Sequence, residues 1–290
     1  MALKDFCFDG SSKLNLKKVP TDSKKEKVDK EKILAKTEKN KLKMQELQDK
    51  LYSDGKEGII IVLQAMDAAG KDGTIKHVMS GVNPQGVKVY SFKAPNSEEL
   101  SHDYLWRINK CLPKRGNIAI LNRSYYEDVL VVRVHDLYKN YAMAERITKQ
   151  KKKDFFEKRY KQIRNYEEYL YENSYRVIKI FLNVSKDEQK KRFLERIDKP
   201  EKNWKFSSSD LSERELWDDY QKSYELMINE TSTKESPWYV LPADDKWYSR
   251  YLVSEVILKA LKEASPQYPE LSEDEKARLA QCRKELEEEK

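Results

Sequence analysis

Apolar residues along this chain gather into five short runs separated by stretches with helical spacing. The runs are Ile59-Ile60-Ile61-Val62-Leu63, Val87–Phe92 with apolar side chains at alternate positions, Asn117–Leu121, Tyr175–Val184 and Trp238–Leu241. Short apolar runs rich in β-branched and aromatic residues suit strands. Strand, helix, strand in this rhythm implies a parallel sheet of α/β type. Thr21 or Asp22 is placed to cap a helix reaching about Tyr52, with Ile33, Leu34, Leu42, Leu47 and Leu51 on a loose apolar stripe and Ser53-Asp54-Gly55 ending it. Ser97 is expected to cap the helix SEELSHDYLWRINKCL, which Pro113 stops. A long helix is expected from about Met143 to Asn173. Ser185 caps another, Ser212 starts one that runs to about Asn229, and a last core helix spans Lys246 to Lys262. The pattern divides the chain into an arm and helix (1–54), an α/β core (55–264) and a peripheral, highly charged helix (265–290).

Composition narrows the class. Of 290 residues, 37% are charged and 39% hydrophobic, which describes a water-soluble, helix-rich protein. No apolar run approaches the ~20 residues that span a bilayer. The first ten residues, MALKDFCFDG, lack the basic-then-apolar order of a secretory signal. Cys7, Cys111 and Cys282 are odd in number and far apart, which fits reduced thiols and a cytoplasmic location. The net charge of +7 would attract phosphate chains, nucleotides or nucleic acid, but on charge alone a generally basic surface is the better explanation. Phe155, Phe156, Tyr160, Ile163, Tyr166 and Leu170 recur at helical spacing, so they read as core or as subunit contacts in a homodimer or homotetramer.

The first strand leads into the candidate chemistry. GIIIVLQAMDAAGKDGT, Gly58 to Thr74, reads as a buried strand, a tight turn and a helix start. Unpaired backbone N–H groups and the helix dipole favour an anion at such a turn. Ala69, Gly70, Lys71, Asp72, Gly73 and Thr74 form the expected phosphate cradle, and Lys71 adds a movable positive charge. The match to the usual phosphate-loop pattern is incomplete. Ala65 replaces the first glycine, and Asp72 replaces the hydroxyl residue that normally reaches Mg²⁺. Asp67 is an extra carboxylate that would repel phosphate unless a cation lay between them, so it reads as a metal ligand or as a group orienting the acceptor. An ordinary strand-turn-helix with Lys71 in solvent is the plainer alternative.

In parallel sheets ligands bind past the carboxyl ends of the strands. Asn122, Arg123, Glu127 and Asp128 follow the third run directly, and Arg133 lies a few residues on. Beyond the fourth run come Arg192 and Arg196, four apart on one helical face, then Lys199, Lys202 and Lys205 around Pro200. Carboxylates beside cations, with a mobile basic segment, describe phosphoryl transfer under a closing lid. A solvated charged helix end is the bland reading of the basic segment alone.

Four stretches in order, AMDAAGKDGT, NRSYYEDVLVVRVH, RFLERIDKPEKNWKFSSSD and PWYVLPADDKWYSR, resemble the family-2 polyphosphate kinases over about residues 22–262. The resemblance implies a three-layer P-loop kinase fold like that of thymidylate kinases, a parallel sheet flanked by helices with a helical lid at about 190–210. It implies phosphoryl transfer between inorganic polyphosphate and nucleotides, with Mg²⁺ or Mn²⁺ as cofactor and neither membrane nor nucleic acid as partner. Asp67 and Lys71 match the family's loop carboxylate and lysine, and Arg123 its arginine after the third strand. Arg192, Arg196, Lys202 and Lys205 fall in the lid. Lys199 and Arg133 join the expected polyphosphate contacts. Asn122 with Glu127-Asp128 resembles the subclass that accepts both AMP and ADP. That assigns catalysis to Asp67, Lys71, Arg123 and Asp128, the metal to Asp67 and Asp128, and the nucleotide to Asn122, Arg123 and Glu127. The rival readings are a nucleoside monophosphate kinase using ATP and a non-catalytic polyanion-binding protein.

Overall fold

The computed structural model describes residues 3–24 and 28–289. Its sheet has six strands: β1 (Cys7–Phe8), β2 (Gly58–Ala65), β3 (Val87–Ser91), β4 (Ile118–Asn122), β5 (Tyr175–Asn183) and β6 (Trp238–Pro242). Their spatial order is β1-β6-β5-β2-β4-β3. β2 through β6 are parallel, as the alternation of apolar runs and helices requires, and β1 pairs antiparallel with β6 at the edge. β2, β4 and β6 are buried along their whole length, covered on both faces. β1 escapes sequence reading because two residues in a Gly- and Ser-rich stretch carry no periodicity.

Numbering only helices of eight or more residues, these are α1 (Lys30–Asp54), α2 (Lys71–Val78), α3 (Lys152–Glu172), α4 (Lys186–Asp198), α5 (Trp217–Thr231), α6 (Lys246–Ala264) and α7 (Glu273–Glu288). Asp29 caps α1 by accepting from the Glu31 and Lys32 amides, and Gly55, at φ +66°, closes it. The helix therefore starts later than Thr21 or Asp22, and part of the expected start lies at 25–27, outside the described residues. α1 packs along α6. Every exposed position of α7 faces solvent.

Three expected helices are broken. Asn96, rather than Ser97, caps the short helix Ser97–Ser101 in a reciprocal arrangement with Glu99. Asp103 then accepts from the Leu105 amide and starts a new turn, so the helix resumes only at Trp106–Asn109. The helix expected from Met143 divides into Glu145–Thr148 and α3. Four lysines among residues 149–153 repel one another at the break. The helix expected from Ser212 is Ser209–Glu215 followed, after Leu216, by α5.

Phe155, Phe156, Tyr160, Ile163 and Leu170 on α3 are buried in the core. These five belong to the core, while Tyr166 on the same helix is half-buried. Among the described residues no helix is long and apolar enough to cross a membrane.

An ion pair sits inside this core. Lys179 of β5 and Glu167 of α3 are 2.7 Å apart and 0% and 1% exposed, so neither charge has water to fall back on. Lys179 also donates to the Thr231 carbonyl (2.6 Å). Glu167 accepts from the Tyr125, Tyr126 and Ser236 hydroxyls at 2.7, 2.6 and 3.0 Å. Burial pushes the Lys179 pKa down, against the pull of Glu167. The network joins α3, β5, α5 and the segment after β4, and so fixes where that segment leaves the sheet. Removing one partner of a buried pair costs about 3–5 kcal/mol. Lys179→Met should therefore lose about that much in urea unfolding, and the double variant with Glu167→Gln should regain part of it. A loss of less than about 1 kcal/mol would show that the hydroxyl donors suffice for Glu167 alone.

Candidate active site

The strand register brings the carboxyl ends of β2 to β6 to one edge. Leu63 pairs with Asn122, Asn122 with Ser91, Ala65 with Leu182, and Asn183 with Pro242. A cleft of about 350 Å³ opens there. Its floor is the turn between β2 and α2. Ala68, at φ +60°, and Gly70, at φ +106°, take left-handed conformations, which Gly70 adopts without the steric cost of a Cβ. The amides at the start of α2 have no partner within the helix and face an anion site.

A turn that aims N–H groups at a ligand turns its carbonyls away, and those need partners of their own. Every carbonyl from residue 65 to 69 has a side chain on it. Lys71 donates to the Ala65 and Met66 carbonyls (2.9 and 3.4 Å). Gln189 donates to Asp67 O (3.0 Å), and Arg192 to Ala68 O and Ala69 O (3.0 and 2.7 Å). The same guanidinium reaches Ala243 O, Asp244 O and Glu188 Oε1 at 2.7, 2.9 and 2.8 Å. All its N–H donors are thereby occupied. This corrects the expectation that Arg192 binds polyphosphate: it holds the loop. Gln189 was missed because a lone glutamine on a charged helix carries no signal.

Charged side chains meet above the loop. Arg123, at φ +60° just past β4, bridges Asp67 Oδ1 (2.5 Å) and Glu127 Oε2 (3.2 Å). Glu127 above all raises its pKa. Asn122 donates to Asp72 Oδ1 (2.8 Å), while its own buried Oδ1 has no hydrogen-bond partner. Burial first, and the Arg123 charge second, push the Lys71 pKa down to about 8, against the pull of Asp67, Glu127 and Asp72.

Most of the expected residues come together on the cleft wall. Asp67, Ala69, Gly70, Lys71, Asp72, Gly73 and Thr74 line it from the loop, and Asn122 and Arg123 from β4. Arg192 and Arg196 line it from α4, and Lys202 and Lys205 from the segment after it. Four expected residues do not line it. Glu127 lies behind Arg123. Asp128 is buried, 2.7 Å from the Arg159 guanidinium, and accepts from Tyr141 (3.2 Å). That pairing turns its carboxylate away from Asp67, which corrects its assignment as metal ligand and catalytic group. Arg133 stacks on Phe156, 4.8 Å from the ring centre. Lys199 is 2.9 Å from Glu195, which lines the cleft, but does not line it itself. Lys202 and Lys199 together pull the Glu195 pKa down to about 2. Lys246, Ser249 and Arg250, at the start of α6, line the cleft without having been foreseen.

Among the described residues no group of three or more His, Cys, Asp or Glu is arranged to hold a metal. Mg²⁺ commonly takes only one or two carboxylates and completes its shell with waters and substrate phosphates. Asp67 and Asp72 on the wall, beside the orphan Asn122 Oδ1, make a hard oxygen donor set that fits such a cation.

Residues 27–269 match the model of the polyphosphate kinase 2 family. The chain belongs to that family. It is 50% identical over 245 residues to the ADP-polyphosphate phosphotransferase of Rhodopseudomonas palustris, covering 84% of each chain. It is 47% identical over 228 residues to the AMP/ADP-polyphosphate phosphotransferase of Meiothermus ruber, covering 79% of this chain and 80% of that one. The crystal structure of polyphosphate kinase 2 from Arthrobacter aurescens TC1 superposes with a TM-score of 0.85 at 38% identity, covering 97% of both chains. The α/β kinase fold and the enzymatic character of the chain follow.

The Lys71 environment has a measurable consequence. In the protein by itself the ammonium loses its proton near pH 8, whereas a bound phosphate chain would stabilise the charged form. Binding above that pH therefore takes up a proton. Affinity for polyphosphate should be level below pH 8 and fall by up to about tenfold per unit above it. Titration calorimetry in Lys71→Met should show weaker binding without that inflection; an unchanged inflection would assign it to another group.

Proposed function

We propose that this protein transfers the terminal phosphoryl group of inorganic polyphosphate to AMP and ADP, reversibly and with Mg²⁺. One observation carries the reading. Eight cationic side chains but three carboxylates line the cleft, and its one aromatic side chain, Phe92, has the Arg107 guanidinium 5.1 Å from its ring centre. A surface so cationic, with no free aromatic ring for a base to stack on, suits a run of phosphates better than a nucleoside. The printed activities of the two relatives agree with a polyphosphate donor, and one of them names AMP beside ADP.

Each residue then has a task. The loop amides from Gly70 to Gly73 hold phosphate oxygens, since those of Ala69 and Thr74 already donate to the Met66 and Gly70 carbonyls, and Lys71 neutralises charge beside them. Arg123 stands where the phosphoryl group passes between donor and acceptor, with Glu127 and Asp67 fixing its plane. Asn122 orients Asp72. A divalent cation at Asp67 and Asp72 would supply charge neutralisation on the transferred group. Arg196, Lys202 and Lys205 lie on the lid segment that excludes water. The loose transition state of phosphoryl transfer asks mainly for such positioning and charge.

The deciding experiment supplies long-chain polyphosphate and Mg²⁺ with AMP, and separately ADP, as sole acceptor and follows products by chromatography. ADP and then ATP are expected from AMP. ATP from ADP with nothing from AMP would confine the acceptor to ADP. Exchange with ATP and AMP but none with polyphosphate would favour a nucleoside monophosphate kinase instead. Asp67→Asn should lower kcat by about two to three orders of magnitude at unchanged melting temperature. Near-normal turnover in that variant would remove Asp67 from the mechanism.

A further inference from the structure

A polar side chain inside a buried strand costs free energy unless its donors and acceptors are answered. β2 is apolar from Ile59 to Leu63, and Gln64 follows at 0% exposure, paired with Phe181 of β5. A methionine of similar volume would fill the place without that cost. The segment after β4 answers the glutamine, and the network fixes which end of its amide is which. With the nitrogen toward Glu127 it donates to Oε1 at 2.9 Å, and the amide oxygen accepts from Ser124 N and Oγ, both at 3.1 Å. The reverse orientation would set the oxygen against the carboxylate. Ser124 Oγ itself accepts from the Tyr126 amide (3.2 Å), which leaves its hydrogen for Gln64.

Glu127 divides its two oxygens. Oε1 takes the Gln64 amide, and Oε2 accepts from Arg123 Nη1 at 3.2 Å. Arg123 donates from its other terminal nitrogen to Asp67 Oδ1 at 2.5 Å. Two carboxylates therefore set the plane of the guanidinium, and of all charges around it Glu127 raises its pKa most. Asp67 stands on the turn after β2, whereas Glu127 is tied to β2 itself, a strand flanked by β5 and β4 within the sheet. One hydrogen bond per step leads from the sheet to the cleft: Gln64 to Glu127, and Glu127 to Arg123.

We infer that Gln64 is a positioning residue of the transfer site: acting through Glu127, it holds the Arg123 guanidinium in the plane that meets the transferred phosphoryl group. Gln64 does not line the cleft and touches no substrate. The inference rests on the reading of the cleft as a phosphoryl-transfer site and adds a buried residue of β2 to it. A cation on a surface segment would otherwise follow whichever anion entered. Tied to the sheet, Arg123 keeps one orientation as charged ligands come and go, and that orientation counts most where charge develops in the transition state.

The test is Gln64→Met in the full-length protein, which removes the donor at nearly unchanged volume. With long-chain polyphosphate and ADP, kcat should fall about ten- to a hundredfold, while KM for polyphosphate stays within about twofold. Glu127→Ala should also lower kcat, and adding Gln64→Met to it should cost less than about threefold more, since a residue that acts through Glu127 then has nothing to act on. Losses that multiply in the double variant would assign Gln64 to general support of the strand and overturn the inference, as would wild-type kcat in folded Gln64→Met. If Gln64→Met does not fold, Gln64→Asn, whose amide is one methylene short of Glu127, must show the same fall in kcat and the same failure to multiply. Crystal structures of the wild type and the variant give a readout that needs no turnover. Arg123 should leave Glu127 in the variant, and an unmoved guanidinium would overturn the positioning role. A guanidinium that moves as expected, in a protein whose wild type transfers nothing from polyphosphate, would sustain that role and refute the transfer reading.

Discussion

The cleft depends on where the carbonyls of the β2–α2 turn go. Phosphate is held by N–H groups pointing one way, so the carbonyls of residues 65–69 must point the other way and be satisfied there. Lys71, Gln189 and Arg192 satisfy all of them. Arg192 also takes the carbonyls of Ala243 and Asp244, so a single guanidinium ties α4, the loop and the end of β6 together. Lysine could not replace it, because a point charge with three donors cannot reach carbonyls on two sides at once. Without the clamp, Ala68 would have less to hold it at a positive φ that alanine disfavours.

This clamp sits on the proximal half of α4. α4 is rigid where Gln189, Arg192 and Phe193 bury one face against the core. Its outer face exposes Leu194 and Ile197, and the segment beyond it exposes Trp204 at 78%. The buried face of the helix therefore ends at Phe193. Arg196, which donates to the Lys205 carbonyl (3.0 Å) and faces Asp210 at 3.6 Å, folds the distal part back on itself. The distal segment carries Lys202 and Lys205 to the cleft, while the proximal turns of the same helix hold the loop.

Much of this was legible in the sequence because periodicity and spacing constrain backbone placement. The five parallel strands follow from apolar runs of strand length, and their carboxyl ends had to meet at one edge, so Asp67, Lys71 and Arg123 were bound to come together. Periodicity says less about which way a polar side chain turns. Asp128 lies only five residues beyond Arg123, yet Arg159, on a helix about thirty residues away, draws it inward. Asp72 looked like a defect in the phosphate-loop pattern and is instead the carboxylate that Asn122 presents to the cleft. Arg192 and Arg196 share one face of one helix, and only packing separates a loop clamp from a lid cation. Lys246 and Arg250 were visible as cations four apart directly after β6, a spacing that solvated helices use routinely.

The cations of the cleft differ in how firmly they are held. Cations held by carboxylates, Arg123 with Asp67 and Glu127 above all, are fixed in orientation and suit the point where bonds are exchanged. Lys246 and Arg250 also line the cleft but, among the described residues, have no carboxylate within ion-pair distance, so their orientation is less constrained. A nucleotide must be held in a single pose to present its phosphate, whereas a polymer donor must be held at successive units. A site with one rigid charged constellation and one loosely paired cationic wall meets both demands, and no single pocket of matched ion pairs would.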